Sequence, residues 1–125
     1  STRKPFKGSV SSHIHNRIYL CGLSMGGFGT WYTAMAYPDT FAAIIPCCGG
    51  GMPWNANVLK MPVWAFHGLQ DTIVLPSNTI DMVAALRNHN PNVKCTLLEN
   101  VAHNSWNEAF TEETLAWLLE QKKEN

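Results

Sequence analysis

One short stretch limits the folds open to this chain. Gly22-Leu23-Ser24-Met25-Gly26 stands directly behind the apolar run Ile18-Tyr19-Leu20-Cys21 and directly ahead of a helix-like segment, residues 25–37. A strand running straight into a helix with a serine at the apex reads as a nucleophile elbow, where the tight turn holds the serine in a strained backbone conformation. The glycines on either side fit the same reading, because a side chain there is expected to collide with the neighbouring strand or helix. The segment behind Ser24 carries Trp31, Ala34 and Met35 at helical spacing and stops at Pro38.

A serine activated in this way needs a general base and a group that orients the base. Three further strand candidates follow, residues 41–48, 63–66 and 93–98. Asp71 falls just past the end of the third candidate strand in the chain, in His67-Gly68-Leu69-Gln70-Asp71, and His103 just past the end of the fourth, in Val101-Ala102-His103. In an open parallel sheet all carboxyl ends share one edge, so Ser24, Asp71 and His103 are expected to converge there. Competing residues are less well placed. Asp39 follows the elbow helix, Asp81 lies within a helical stretch, Glu99 is too near His103 in sequence, and His89 ends a surface helix. His67 belongs to a turn and is expected to bond backbone near Asp71. His13-Ile14-His15 places two imidazoles on one side of a short strand, but with no third ligand nearby no metal site is expected.

The stretch from Asn16 to Trp31, the His67-Gly68-x-x-Asp71 turn and the loop Val101-Ala102-His103-Asn104-Ser105-Trp106 together resemble the α/β-hydrolase superfamily. More narrowly they resemble its esterases of the phospholipase/carboxylesterase, dienelactone-hydrolase and prolyl-oligopeptidase-like group. The resemblance spans about residues 16–123 and implies a serine hydrolase acting on carboxylic esters through an acyl-serine intermediate, with no metal or organic cofactor. It implies Ser24 as nucleophile, His103 as base, Asp71 as the acid that orients it, and the Met25 N–H as one oxyanion donor. The second oxyanion donor of this fold comes from a loop after an earlier strand that has no counterpart here, and loss of one donor costs about 100- to 1,000-fold in turnover.

The expected fold class is therefore α/β, a partial α/β-hydrolase fold with a mostly parallel sheet of about four strands flanked by helices. Residues 1–16 are read as a polar segment with at most one short strand, near Val10 or Ile14, and residues 17–125 as the carboxyl-terminal half of a hydrolase domain. Such a half is a fragment, a processed product or a reduced form. Its first strand would leave an open edge, to be covered by self-association or by the missing half. Residues 49–60, after the second strand, leave no room for a helical cap, which predicts an open cleft lined by Met52, Trp54 and Trp106.

The remaining helices are expected over residues 77–89 and from Thr111 onward. The last has Glu112 and Glu113 in its first turn, Lys122 and Lys123 near its end, and a buried stripe of Leu115, Leu118 and Leu119. Lys94 and Thr96 on one face of the fourth strand suggest the sheet edge. Zero net charge gives no electrostatic footprint for nucleic acid. No apolar run approaches the ~18 residues of a membrane span, and no signal-peptide core precedes the elbow. Cys21, Cys47, Cys48 and Cys95 read as small buried hydrophobes, not a disulfide framework. The cytoplasm is the default compartment, and a mature secreted form remains open. Three functions follow: an esterase for small-molecule or polysaccharide-linked esters, a serine peptidase or thioesterase with the same residues, or a silent half-domain that needs a partner segment.

Overall fold

Strand and helix alternate along the chain in the computed structural model, which describes residues 16–123. The strands are β1 (Tyr19–Leu23), β2 (Ala43–Cys47), β3 (Val63–Gly68) and β4 (Val93–Leu98). The helices are α1 (Met25–Ala36), α2 (Ser77–Leu86), α3 (Trp106–Ala109) and α4 (Glu112–Glu120), with a 3-10 helix over Pro53–Val58. The sheet order is β1-β2-β3-β4 and every pairing is parallel. All four strands therefore point their carboxyl ends to one edge. The candidate short strand near Val10 or Ile14 and the His13-Ile14-His15 triplet lie outside the described residues.

β2 and β3 are buried along their whole length, as apolar strands covered on both faces must be. Their side chains alternate between two cores. Ile44, Val63 and Ala65 meet Trp31, Ala34 and Met35 of α1 and Met82, Val83 and Leu86 of α2. Ile45, Cys47, Trp64 and Phe66 face the other way, toward Trp106 and Ala109 of α3 and Trp117 and Leu118 of α4. On that second face Trp64 stacks on Phe66 at 5.1 Å and meets Trp117 edge-on at 5.5 Å. β4 lies at the sheet edge, as its polar face suggests. Its two polar residues are used: Lys94 Nζ sits 3.9 Å over the Trp64 ring, and Trp64 Nε1 donates to Thr96 Oγ1 at 2.9 Å.

Several expectations need correction. Cys21 is exposed, because β1 has no second neighbour among the described residues, and Cys95 on edge strand β4 is only half-buried. α4 begins as expected, with a reciprocal cap between Thr111 and Thr114, but ends at Glu120, so Lys122 and Lys123 lie beyond its last turn. Lys123 instead reaches the Asp39 carbonyl at 2.6 Å. The buried stripe also differs. Leu115 and Leu119 are exposed, and α4 seats Trp117 and Leu118 on the sheet because the large rings of Trp64 and Phe66 set which face it presents. No helix among the described residues is long and apolar enough to cross a membrane.

Candidate active site

The elbow is built as its spacing requires. Ser24 has φ 55° and ψ −119°, a left-handed conformation that side chains rarely adopt. Gly22 is forced, since a Cβ there would lie 2.3 Å from the Gly26 carbonyl oxygen. The second glycine of the motif is not: a Cβ on Gly26 meets nothing within 4 Å among the described residues. The crowding falls one residue later, where a Cβ on Gly27 would lie 2.3 Å from the Cys47 carbonyl oxygen. That close approach seats α1 on the end of β2.

The turn after β3 positions the acid. Asp71 is buried, and its Oδ1 accepts the backbone N–H groups of Ile73 and Val74, both at 2.9 Å. His67, the residue before the last of β3, points its Nε2–H at the Val74 carbonyl at 2.7 Å and its Nδ1 at the Thr79 hydroxyl at 2.7 Å. It thus ties the acid turn to the start of α2 by bonding backbone near Asp71, and lies 3.3 Å from Asp71 Oδ2.

The loop after β4 carries His103, held against the end of β3. A Cβ on Gly68 would strike the Ala102 carbonyl oxygen at 2.2 Å, so only glycine lets the loop approach. His103 Nδ1–H donates to Asp71 Oδ2 at 2.7 Å, and the Ser24 hydroxyl donates to His103 Nε2 at 2.8 Å. A carboxylate only accepts, so the Asp71 contact fixes the proton on Nδ1 and leaves Nε2 free to take one. Burial pushes the Asp71 carboxyl up. The His103 hydrogen bond and the two backbone N–H bonds outweigh it and hold the group below the ordinary carboxylate range. The Met25 N–H lies in the first turn of α1, where helix geometry supplies no intrahelical acceptor.

The three residues named as nucleophile, acid and base thus converge from the ends of β1, β3 and β4. The proposed pocket residues do not behave alike. The Trp106 ring meets His103 edge-on at 6.0 Å. Trp54 is 80% exposed on the 3-10 helix. Met52 is half-buried and packs against the main core as the chain enters that helix. A groove at the opposite edge, lined by Phe41, Lys60, Pro62 and Gln121, contains none of these groups.

Sequence reasoning missed a second layer. Cys48 has φ 45°, and its Sγ, together with the Cys47 carbonyl oxygen, receives the Ser24 N–H, at 3.2 and 3.0 Å. Cys47 Sγ meets Ser105 Oγ at 3.2 Å, in the His103 loop. Bonding to Cys47 and to the Ser24 N–H holds the Cys48 thiol down at about 6 against burial, while the same pairing and burial push Cys47 up. The only sequence signal was two adjacent cysteines closing an apolar strand.

A parallel sheet with a strained serine, an imidazole and a carboxylate in line at its carboxyl edge defines the α/β-hydrolase class. The family model for phospholipase/carboxylesterase matches residues 6–114, and the chain belongs to that family. A thermostable esterase of known structure is similar at 38% identity and a TM-score of 0.82, over 86% of this chain and 32% of its own. A putative dienelactone hydrolase from Klebsiella pneumoniae subsp. pneumoniae shares the fold at 20% identity and a TM-score of 0.62, over 84% of this chain and 49% of its own. An acylaminoacyl peptidase from Pyrococcus horikoshii does so at 18% identity and 0.67, over 76% and 21%. No curated protein sequence matches the chain.

Proposed function

We propose that this chain carries the catalytic residues of a serine hydrolase that cleaves carboxylic esters through an acyl-Ser24 intermediate. The observation that carries this reading is the unbroken line of short hydrogen bonds, Ser24 Oγ to His103 Nε2 at 2.8 Å and His103 Nδ1 to Asp71 Oδ2 at 2.7 Å. His103 takes the hydroxyl proton as Ser24 Oγ attacks the ester carbonyl. Asp71 keeps the imidazole in the required tautomer and stabilises the imidazolium. The Met25 N–H, with a second donor from outside the described residues, stabilises the tetrahedral oxyanion. Collapse expels the alcohol with the proton from His103, and water activated by the same imidazole then releases the acid. These steps need no metal or organic cofactor.

The similarity to the thermostable esterase, at 38% identity, supports ester over amide cleavage. The exposed side chains of Met25 at the start of α1 and of Ile73 and Leu75 in the segment after β3 favour an ester with an apolar group, free or on a polysaccharide. The chain spans 32% of that esterase's length. We infer that further chain or a second copy covers the outer edge of β1 and completes the oxyanion site.

A fluorophosphonate probe tests the reading. The chain should be labelled at Ser24, and Ser24→Ala should not react, with hydrolysis of a p-nitrophenyl ester down by about a million-fold where it is measurable in the wild type. Equal labelling of both proteins would remove Ser24 as nucleophile and favour a silent half-domain.

A further inference from the structure

Cys47 and Cys48 are both fully buried, and the proposed mechanism uses neither. Among the described residues Ser24 and Cys48 are the two non-glycine positions with positive φ, and they touch through the Ser24 N–H. The contact has a geometric origin. Successive side chains of an extended strand point to opposite faces. The left-handed turn at Cys48, with φ 45°, breaks that alternation just past the end of β2 and brings its sulfur under the elbow. The Cys48 N–H is fixed in turn by the Phe66 carbonyl of β3 at 2.8 Å. One residue thus links the nucleophile's peptide to the strand that leads to Asp71. Its neighbour Cys47 reaches Ser105, two residues beyond His103.

Resting on Ser24 as the nucleophile, we propose that Cys48 is a positioning residue, whose sulfur holds the Ser24 peptide in its left-handed elbow and keeps the hydroxyl aligned on His103. A sulfur that takes the Ser24 N–H restricts rotation of the peptide before the nucleophile. It also sets the direction of the following N–H, that of Met25, toward the developing oxyanion. Bonding to Cys47 and to the Ser24 N–H lowers the thiol against burial, and the more negative charge a sulfur carries the better it accepts. Alignment of this kind is used at the transition state, so its loss appears in kcat and not in KM.

Three substitutions in the full chain separate sulfur from backbone. Cys48→Ala removes the sulfur acceptor, leaves the Ser24 N–H to the Cys47 carbonyl at 3.0 Å, and keeps the left-handed strain. Cys48→Gly removes the acceptor and relieves the strain, since glycine adopts positive φ without penalty. Cys48→Ser keeps an acceptor. Fluorophosphonate labelling should slow about tenfold in both Cys48→Ala and Cys48→Gly, the worth of one hydrogen bond at the transition state, and should recover largely in Cys48→Ser. Thermal stability should move differently, with Cys48→Gly above Cys48→Ala, so slow labelling does not follow simple unfolding. The Ser24 amide, followed by NMR hydrogen exchange, should lose part of its protection in the alanine and glycine variants, where the Cys47 carbonyl still accepts it, and regain that part in the serine variant. This readout needs no activity. Should Ser24→Ala label like the wild type, the nucleophile assignment falls, and the inference that rests on it falls too, while the amide exchange still reports whether Cys48 holds the elbow. Wild-type labelling and unchanged Ser24 amide protection in Cys48→Gly would overturn the positioning role alone.

Discussion

Asp71 concentrates the electrostatics of the site in one side chain. Its carboxylate is buried, which alone would favour the neutral acid, yet His103 and the Ile73 and Val74 N–H groups all donate to the charged form and bring its pKa below the usual range. The folded value therefore lies below the unfolded one, about 3.9 for a free aspartate. Stability from this group is complete above the unfolded value and drains away as pH falls through the folded value. The urea midpoint should hold steady down to about pH 4 and then fall. In Asp71→Asn the midpoint should be lower at neutral pH, with a weaker acid dependence. The same substitution leaves His103 without an acceptor that fixes its tautomer, and should lower turnover by about 10⁴-fold. An identical acid transition in both proteins would show that other carboxylates carry the effect.

At the scale of elements, the seating of α1 on β2 decides whether the elbow forms. It depends on Gly27, whose missing side chain lets the helix approach the Cys47 carbonyl. Gly27→Ala should cost about 1–3 kcal/mol or more, because backbone must move to admit a methyl. Gly26→Ala, in open space one residue earlier, should be neutral or stabilising by up to about 1 kcal/mol. Thermal unfolding of the two variants checks the order, and the reverse order would refute this packing. The contrast also explains what a reader of the sequence can see. Ser24, Asp71 and His103 were legible because each follows an apolar strand within a few residues, so local pattern and parallel topology fix their place. Which glycine is crowded was not legible, because Cys47 is remote in sequence and reaches Gly27 only through the sheet. The four-residue helix Trp106–Ala109 is too short to show a period. The face α4 buries depends on Trp64 and Phe66, and a left-handed cysteine at position 48 has no marker in the residue itself.

For the whole molecule the two sheet margins differ in kind. β4 carries Lys94, a charge of the sort that blunts an edge against pairing, whereas β1 has the sequence Tyr-Leu-Cys-Gly-Leu with no charge. β2 and β3 are fully buried, but β1 exposes Cys21 and Leu23 and has no partner on its outer side among the described residues. An uncharged strand open on one side is a surface built to pair, which agrees with a chain that spans 32% of a related esterase. Studied alone, the 125-residue chain should therefore pair with itself. Two β1 edges meeting across a two-fold axis would run antiparallel and satisfy each other's N–H and C=O groups. Native mass spectrometry and size exclusion should report assemblies heavier than the 13.9 kDa chain. Cys21→Lys, which puts a charge on the exposed side chain of that strand, should shift the population toward monomer. A wild-type chain that stays monomeric and unfolds in one cooperative step would mean that β1 is covered from within its own chain, and the oxyanion donor should then be sought there as well.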